Sequence, residues 1–534
     1  MPRERTGPQP APPPGAGALA QARDLSAARV VAAGMLLSKP SGYARDALLA
    51  ARFGTGSAMD AYSLAMTVLN AVFDVIGIPI QRVLVAVLVA ARERRGRPGL
   101  AASSMAVLWA EGLLALAAGV GLLAGAGPVA ALLAGTGPAR AETAVLIRWL
   151  SLLPLAMVLS GYAAAWLQAA QRFTLPAFVG LPLDAAIVGF VLFDHTHGIL
   201  AAAWGLLVGY FAQYALQWPG LRRFGHRVRL PRAAAALADP GLRSTAAMVL
   251  PLVASAAAVE AANLLQQALA ARLAVGTVAA LGFALRVLDL PSALFIAPAV
   301  TVVLPRLAAF AASGQEALAA RFFREAAWTL AAGLLPCALL LGLLAQPLAA
   351  ALYEHGAFDA RSVAAMAACL LGFAPAALTY GMQQLLRTRF YARQDAVTPM
   401  LWDVAAFGAA AAFDLAFYRR LGGFGLALGW SLGAAVSWAG LARAAGVRGP
   451  AAWGQLRALG AGAAALCIVV LALHGHVSAW LGPAPWRAGL ARLLVLGPAG
   501  AVAYAAATAA AGGAPLLAGL AGRLRAQAEP AARP

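Results

Sequence analysis

The stretch GLLALAAGVGLLAGAGPVAALLAGTGPA, residues Gly112–Ala139, runs 28 positions without a charged side chain. An α-helix rises about 1.5 Å per residue, so roughly 20 such residues cross the hydrocarbon core of a bilayer. Ala326–Tyr353, Ser362–Leu386, Ala458–Trp486 and Leu493–Gly522 are further uncharged runs of this kind. The 534-residue chain around them is 62% hydrophobic and 11% charged, against about 25% charged residues in a soluble protein. Too little polar surface is available to cover a soluble globule. A transmembrane barrel is excluded as well, because its strands are shorter and alternate apolar with polar residues. The fold class is all-α integral membrane.

Apolar runs and their Gly, Pro and Arg punctuation give fourteen candidate helices. Helices 1 to 6 lie at 25–53, 60–91, 100–127, 141–170, 174–193 and 198–222. Helices 7 to 12 lie at 242–271, 277–311, 318–351, 360–387, 397–418 and 422–445, and helices 13 and 14 at 453–478 and 487–513. No room is left for a separate soluble catalytic domain. The formal net charge of +19 does not read as a nucleic-acid footprint, because the arginines sit in short connections between spans. Arg92, Arg94, Arg95 and Arg97 follow helix 2, and Arg222, Arg223, Arg227, Arg229 and Arg232 follow helix 6. The positive-inside rule then puts both termini in the cytoplasm, and anionic membrane lipids are expected at those loops. Arg140, Arg272, Arg419 and Arg420 break the pattern. No cleavable signal peptide is read at the start.

Charges at membrane depth supply a second signal. Helix 1 holds Lys39, Arg45 and Asp46, helix 2 Asp74 and Arg82, and helix 5 Asp184; helix 7 holds Glu260, helix 8 Arg286 and Asp289, and helix 11 Asp403 and Asp414. Adding six to 1, 2 and 5 gives 7, 8 and 11. The connections ahead of helices 5 and 11 echo each other, with Thr174 and Pro176 in one and Thr398 and Pro399 in the other; both suit an N-cap and first turn. A period of six makes two lobes of like orientation, an architecture known in transporters. The layout is a disordered cytoplasmic tail at 1–24, an N-lobe at 25–232, a C-lobe at 233–448, helices 13 and 14 at 449–515, and a cytoplasmic tail at 516–534.

Intramembrane charges are costly and mark interior or wet positions. Lys39, the sole lysine beside 39 arginines, stands about 14 residues into helix 1, roughly 20 Å along its axis, where snorkelling is difficult. Pro40, Ser41 and Gly42 follow it, so a kink is expected there. Lys39, Arg45 and Arg286 together form a candidate cationic centre for a phosphorylated substrate, since arginine forks suit phosphate oxygens. Glu260 and Asp414 are candidates for a coupling cation, against the plainer reading of structural hydrogen bonding. Pro40, Gly42, Pro79 and Pro291 are candidate hinges. No metal site, cofactor or catalytic residue is expected: Walker A is absent, no Ser-His-Asp set is legible, His195/His197 and His474/His476 read as loop histidines, and Cys337, Cys369 and Cys467 read as packing residues.

Ser38-Lys39-Pro40-Ser41-Gly42-Tyr43-Ala44-Arg45-Asp46, followed by Arg52-Phe53-Gly54-Thr55-Gly56 and Asp60-Ala61-Tyr62, resembles the opening signature of the MviN/MurJ lipid II flippases. Arg172-Phe173-Thr174-Leu175-Pro176-Ala177-Phe178, Arg286 with Leu290-Pro291-Ser292, Leu304-Pro305, and Phe390-Tyr391-Ala392-Arg393-Gln394-Asp395 with Thr398-Pro399 extend the similarity over about residues 30–445. The resemblance implies the multidrug/oligosaccharidyl-lipid/polysaccharide exporter fold, with two six-helix lobes and a lipid-tail groove at helices 13 and 14. It also implies a cationic cavity lined by helices 1, 2, 7 and 8, with Lys39 (usually arginine), Arg45, Asp60 and Arg286 as substrate-binding residues. The chain departs from the family in helix 2, where Phe73-Asp74 replaces paired arginines and Val75–Ile80 replaces an Ala-Glu-Gly-Ala-Phe stretch.

The expected activity is therefore translocation of lipid II from the inner to the outer leaflet of the bacterial cytoplasmic membrane by alternating access. Flipping of another polyprenyl-pyrophosphate saccharide, or a scaffold role in cell-wall assembly, is the alternative. Carrying about two negative charges outward is favourable by roughly 4–5 kcal/mol per 100 mV of inside-negative potential. A multidrug exporter would want an acidic or apolar cavity, and a glycosyltransferase a large loop bearing carboxylates or histidines, neither of which is read here.

Overall fold

The computed structural model describes residues 38–170, 174–223, 240–446, 453–480 and 485–528, with Gly34 and Arg172. Every regular element among them is helical. Nine of these helices are long and apolar enough to cross a membrane, or ten if the bent pair Ala139–Trp149 and Leu153–Ala169 forms one span. That pair is helix 4, bent by 48°. Helices 11 and 12 form one tract, Val397–Ala444, broken at Gly422 with φ 58° and ψ −144°. Helices 2 and 3 also differ from the reading of a loop between them: the backbone stays helical through 92–103. Arginines suit a helix as well as a loop, so the punctuation there marked a charge boundary and not a break. The tail expected from 516 continues as helix Ala514–Ala528.

The period of six reappears in the backbone. Helix 2 runs Ser57–Val72, then a π-turn at Phe73–Gly77, then on from Ile78. Helix 8 runs Thr277–Pro291, a π-turn at Ser292–Ile296, then Ala297–Ala312. An extra residue in a helical turn frees a carbonyl and bends the axis, and such turns gather at functional sites. Pro79 sits just after the first π-turn and Pro291 just before the second, so both hinge candidates fall at irregular backbone. Pro40 and Gly42 differ: the backbone is helical without interruption from 38 to 53. Residues 35–37 lie outside the described segments. Thr174 starts one helical turn and Val397, the residue before Thr398, starts the other, and in each the third residue is proline. The capping at 398 is done by Asp395, whose Oδ1 accepts from the N–H of Val397 and Thr398 at 3.0 Å each; these bonds hold its carboxyl below the ordinary carboxylate range.

Packing follows the two-lobe order. Helix 5 lies on helix 6 and helix 4 on helices 3 and 6, while helix 10 packs on helices 8, 9, 11 and 12. Helices 13 and 14 pair with each other and dock on helix 9. One buried apolar cluster runs across both lobes, with Leu64 and Leu69 of helix 2 and Phe283 and Val287 of helix 8 among its members.

The lobes close at the turn after helix 1. Ala357 N–H donates to the Ala51 carbonyl at 2.7 Å, and the hydroxyls of Thr55 and Ser362 pair at 2.8 Å. Gly54 (φ +57°) and Gly276 (φ +94°) are left-handed, and a Cβ on them would stand 2.4 Å from the Ala357 oxygen and 2.2 Å from the Thr55 oxygen. Only glycine permits both the φ and the approach. Asp60 completes the junction: its buried carboxylate accepts from Gly276 N–H at 2.6 Å and Ala279 N–H at 2.8 Å, capping helix 8 from the opposite lobe. Asp60→Ala removes both acceptors of a charge-assisted pair. It should lower the unfolding free energy of the detergent-solubilised chain by roughly 2–4 kcal/mol, read as a fall in melting temperature. An unchanged melting temperature would show that the cap is energetically idle.

Candidate functional site

Ser41 and Arg45 lie one turn apart on helix 1 and face helix 5 together. Ser41 Oγ donates to Asp184 Oδ2 at 2.5 Å, and Arg45 Nη1 donates to Asp184 Oδ1 at 2.9 Å. The other edge of the Arg45 fork takes Asp46 Oδ1 through Nε at 2.9 Å and Nη2 at 2.8 Å. Arg45 is therefore held on both sides, with its side chain 16% exposed.

Asp46 turns its second oxygen across the lobe boundary, where Oδ2 lies 3.5 Å from Arg286 Nε of helix 8. Tyr43 of helix 1 donates its hydroxyl to the Arg286 carbonyl at 3.0 Å. Asp289, one turn after Arg286, is within electrostatic reach of both Arg286 and Lys39. Lys39 is exposed, and the Arg286 side chain is 56% exposed. Lys39, Arg45 and Arg286, read from the sequence as a candidate cationic centre, thus stand among three carboxylates. Asp46, Asp184 and Asp289 match them in number. A positive cluster at membrane depth would repel itself, and carboxylates one to three residues away or on the facing helix offset it.

Asp60 stands apart from this cluster. Helix 8 puts Ala279, which Asp60 caps, seven residues or roughly 10 Å before Arg286, and both Asp60 oxygens are taken by backbone N–H groups. Glu260 and Asp414 lie elsewhere again. They border a cavity of about 510 Å³ among helices 7, 10, 11 and 12, reached by Asp74 and Pro79 of helix 2. Asp403 also lines it and is bound to Arg387 Nη2 at 2.5 Å, Gln383 Nε2 at 3.0 Å and Ser437 Oγ at 3.1 Å. Glu260 accepts from Asn263 Nδ2 at 3.2 Å, while the buried Asp414 keeps Oδ1 without a hydrogen-bond partner among the described residues. With four carboxylates and one arginine on its wall, this cavity is acidic, and none of Lys39, Arg45 or Arg286 lines it.

Sequence reasoning noted Asp184 in its census of buried charges and gave it no role. Its signal was available, since Asp184 sits on helix 5 as Asp403 sits on helix 11, and each binds an arginine of its own lobe. Tyr43 and Ser41 carried no signal beyond their place beside Arg45. At the C-terminal end of the same helix, Arg52 Nη2 lies 2.8 Å from His195 Nδ1. Asp194 accepts from the N–H of Thr196 and His197, which hold its carboxyl at about 2. His195 and His197 are thus loop anchors.

The sequence model of the family described as lipid II flippase MurJ matches residues 49–484. The chain belongs to this family. The match begins after Lys39 and Arg45, which rest on the local motif alone. Lipid II flippase MurJ of Burkholderia cenocepacia is 26% identical over 418 residues, covering 75% of this chain and 80% of that protein. A solved structure of lipid II flippase MurJ in an inward closed conformation superposes with a TM-score of 0.75 at 17% identity, covering 89% of this chain and 97% of that one. An inward-facing multidrug resistance MATE transporter of the MOP superfamily superposes at 0.64 with 13% identity, covering 79% and 98%. The fold is that of this transporter group.

The two arginines should separate in stability measurements. Arg45→Ala leaves Asp46 and Asp184 buried without their cation, which costs roughly 3–5 kcal/mol. Arg286→Ala removes one long, half-open contact worth about 1 kcal/mol or less. Melting temperatures of the two purified variants check this order, and equal losses would contradict the geometry above.

Proposed function

We propose that this chain moves lipid II from the inner to the outer leaflet of the bacterial cytoplasmic membrane by alternating access of its two lobes. The observation that carries the reading is Asp46, which holds Arg45 in its own lobe and reaches Arg286 in the other. The Arg45 side is tight and closed; the Arg286 side is long and open. A pyrophosphate arriving between the lobes can displace the weak Asp46–Arg286 contact and take the guanidinium fork bidentately, with the exposed Lys39 as a second cation. The contact that links the lobes is then replaced by one that runs through substrate. The π-turns beside Pro79 and Pro291 are the places where helices 2 and 8 can bend while the lobes reorient. Asp60 supports this site by fixing the start of helix 8.

The polyprenyl tail stays in lipid beside helices 13 and 14, and both termini face the cytoplasm. A coupling cation is assigned to Glu260 and Asp414 at the acidic cavity, supported by the unpartnered Asp414 oxygen. No side-chain trio of His, Cys, Asp or Glu converges among the described residues, so backbone carbonyls or water would complete that shell. A second reading, flipping of a different polyprenyl-pyrophosphate saccharide, is favoured by one observation: Asp74 replaces a basic residue and contributes to the acidic cavity, a wall suited to hydroxyls and amines and not to further phosphate.

Lys39→Ala and Arg286→Ala should each abolish lipid II accessibility at the outer leaflet in cells depleted of their own flippase, with protein abundance normal. Lys39→Arg should restore it. Full activity of both alanine variants would overturn the assignment, and activity toward a different lipid-linked saccharide alone would select the second reading.

A further inference from the structure

Helix 3 presents one stripe to the interior of the N-lobe. Ser104, Leu108, Glu111, Ala115 and Leu122 recur at helical spacing, and each is buried. The surrounding positions Leu113, Leu114, Leu116 and Val120 face outward. Facing this stripe, Tyr162 and Trp166 of helix 4 join Met105, Val107 and Leu108 in a single apolar cluster. Glu111 is thus a carboxyl in the middle of a packed helix–helix seam, 1% exposed. Neither of its oxygens has a hydrogen-bond partner among the described residues. It lies far from the Arg45–Asp46–Arg286 cluster in the order of packing and borders none of the cavities described above.

An ionised carboxylate in such a place would lack water, cation and donor together, and groups in that position neutralise instead. The titratable group of helix 4 that faces it is Tyr162, which interacts with it electrostatically. Tyr214 of helix 6 is the next titratable neighbour of that tyrosine. No described cation from helices 4, 6 or 7 reaches Glu111.

We infer that Glu111 is a proton-binding site of the N-lobe, occupied in this conformation and emptied when helices 3 and 4 part. The unmet carboxyl is a cost in this state, and a state in which water or a donor reaches Glu111 relieves that cost and releases the proton. The ligand is the proton itself. Its linkage to transport rests on the function proposed above; its presence on Glu111 does not.

The test uses the full-length chain in lipid nanodiscs, without substrate. Infrared spectroscopy at neutral pH should show a protonated-carboxyl C=O band that is lost in Glu111→Gln. Spin-label distances between the lobes should shift with pH in the native chain and become pH-independent in Glu111→Gln. Glu111→Leu should melt no lower than the native chain, which separates loss of a proton site from loss of packing. An unchanged infrared band, or the same pH response in Glu111→Gln as in the native chain, would overturn the site. Intact lipid II translocation by a pH-insensitive Glu111→Gln would leave the proton site standing and dismiss only its coupling to transport.

Discussion

A charge inside a helical membrane bundle has three tolerable fates: it is paired, it is wet, or it loses its proton balance and becomes neutral. The architecture of this chain follows from how each buried charge meets that constraint. Asp46 meets it by serving two arginines at once, one sealed within its lobe and one open across the boundary. Because both oxygens of one carboxylate are committed, a change at Arg286 is felt at Arg45 through a single side chain. Asp403 plays the local part of this role in the C-lobe, satisfying Arg387 beside the acidic cavity. Asp60 meets the constraint with backbone N–H groups, spending its charge on the start of helix 8.

Asp46 and Asp60 divide the labour of the junction. Asp60 and the glycine turns at Gly54 and Gly276 fix the C-terminal end of helix 1 against the start of helix 8 through atoms that leave little room to slide. Farther along the same two helices, the Asp46–Arg286 contact is long and exposed. A stiff joint at one end and a weak ion pair at the other let two lobes pivot about the first while the second opens. The paired π-turns in helices 2 and 8 put irregular backbone at positions related by the internal repeat.

The largest difference between the chemistry read from residues and the chemistry seen in space concerns sign. Lys39, Arg45 and Arg286 drew attention because positive side chains are conspicuous in an apolar sequence. The carboxylates that answer them were in view as well, but helix order alone does not say that Asp184 of helix 5 faces Arg45 of helix 1. Glu111 was passed over for the same reason in reverse. It stands inside the helix 3 span beside the uncharged run from Gly112, and only the packed seam with helix 4 shows that it is buried there with no hydrogen-bond partner among the described residues.

Composition and the length of uncharged runs determined by themselves that this is a helical membrane protein, because the bilayer thickness fixes how many apolar residues a helix needs. The period of six among charged helices determined two like-oriented lobes, and the local motif around Arg45 pointed to the transporter family. Tertiary structure alone decided the pairings: Asp46 with both arginines, Asp60 with helix 8, Glu111 with no hydrogen-bond partner among the described residues. Hydrophobic patterning is a property of one helix and survives in one dimension, whereas the energy of a buried charge depends on what stands within about 4 Å of it, which the chain order does not contain.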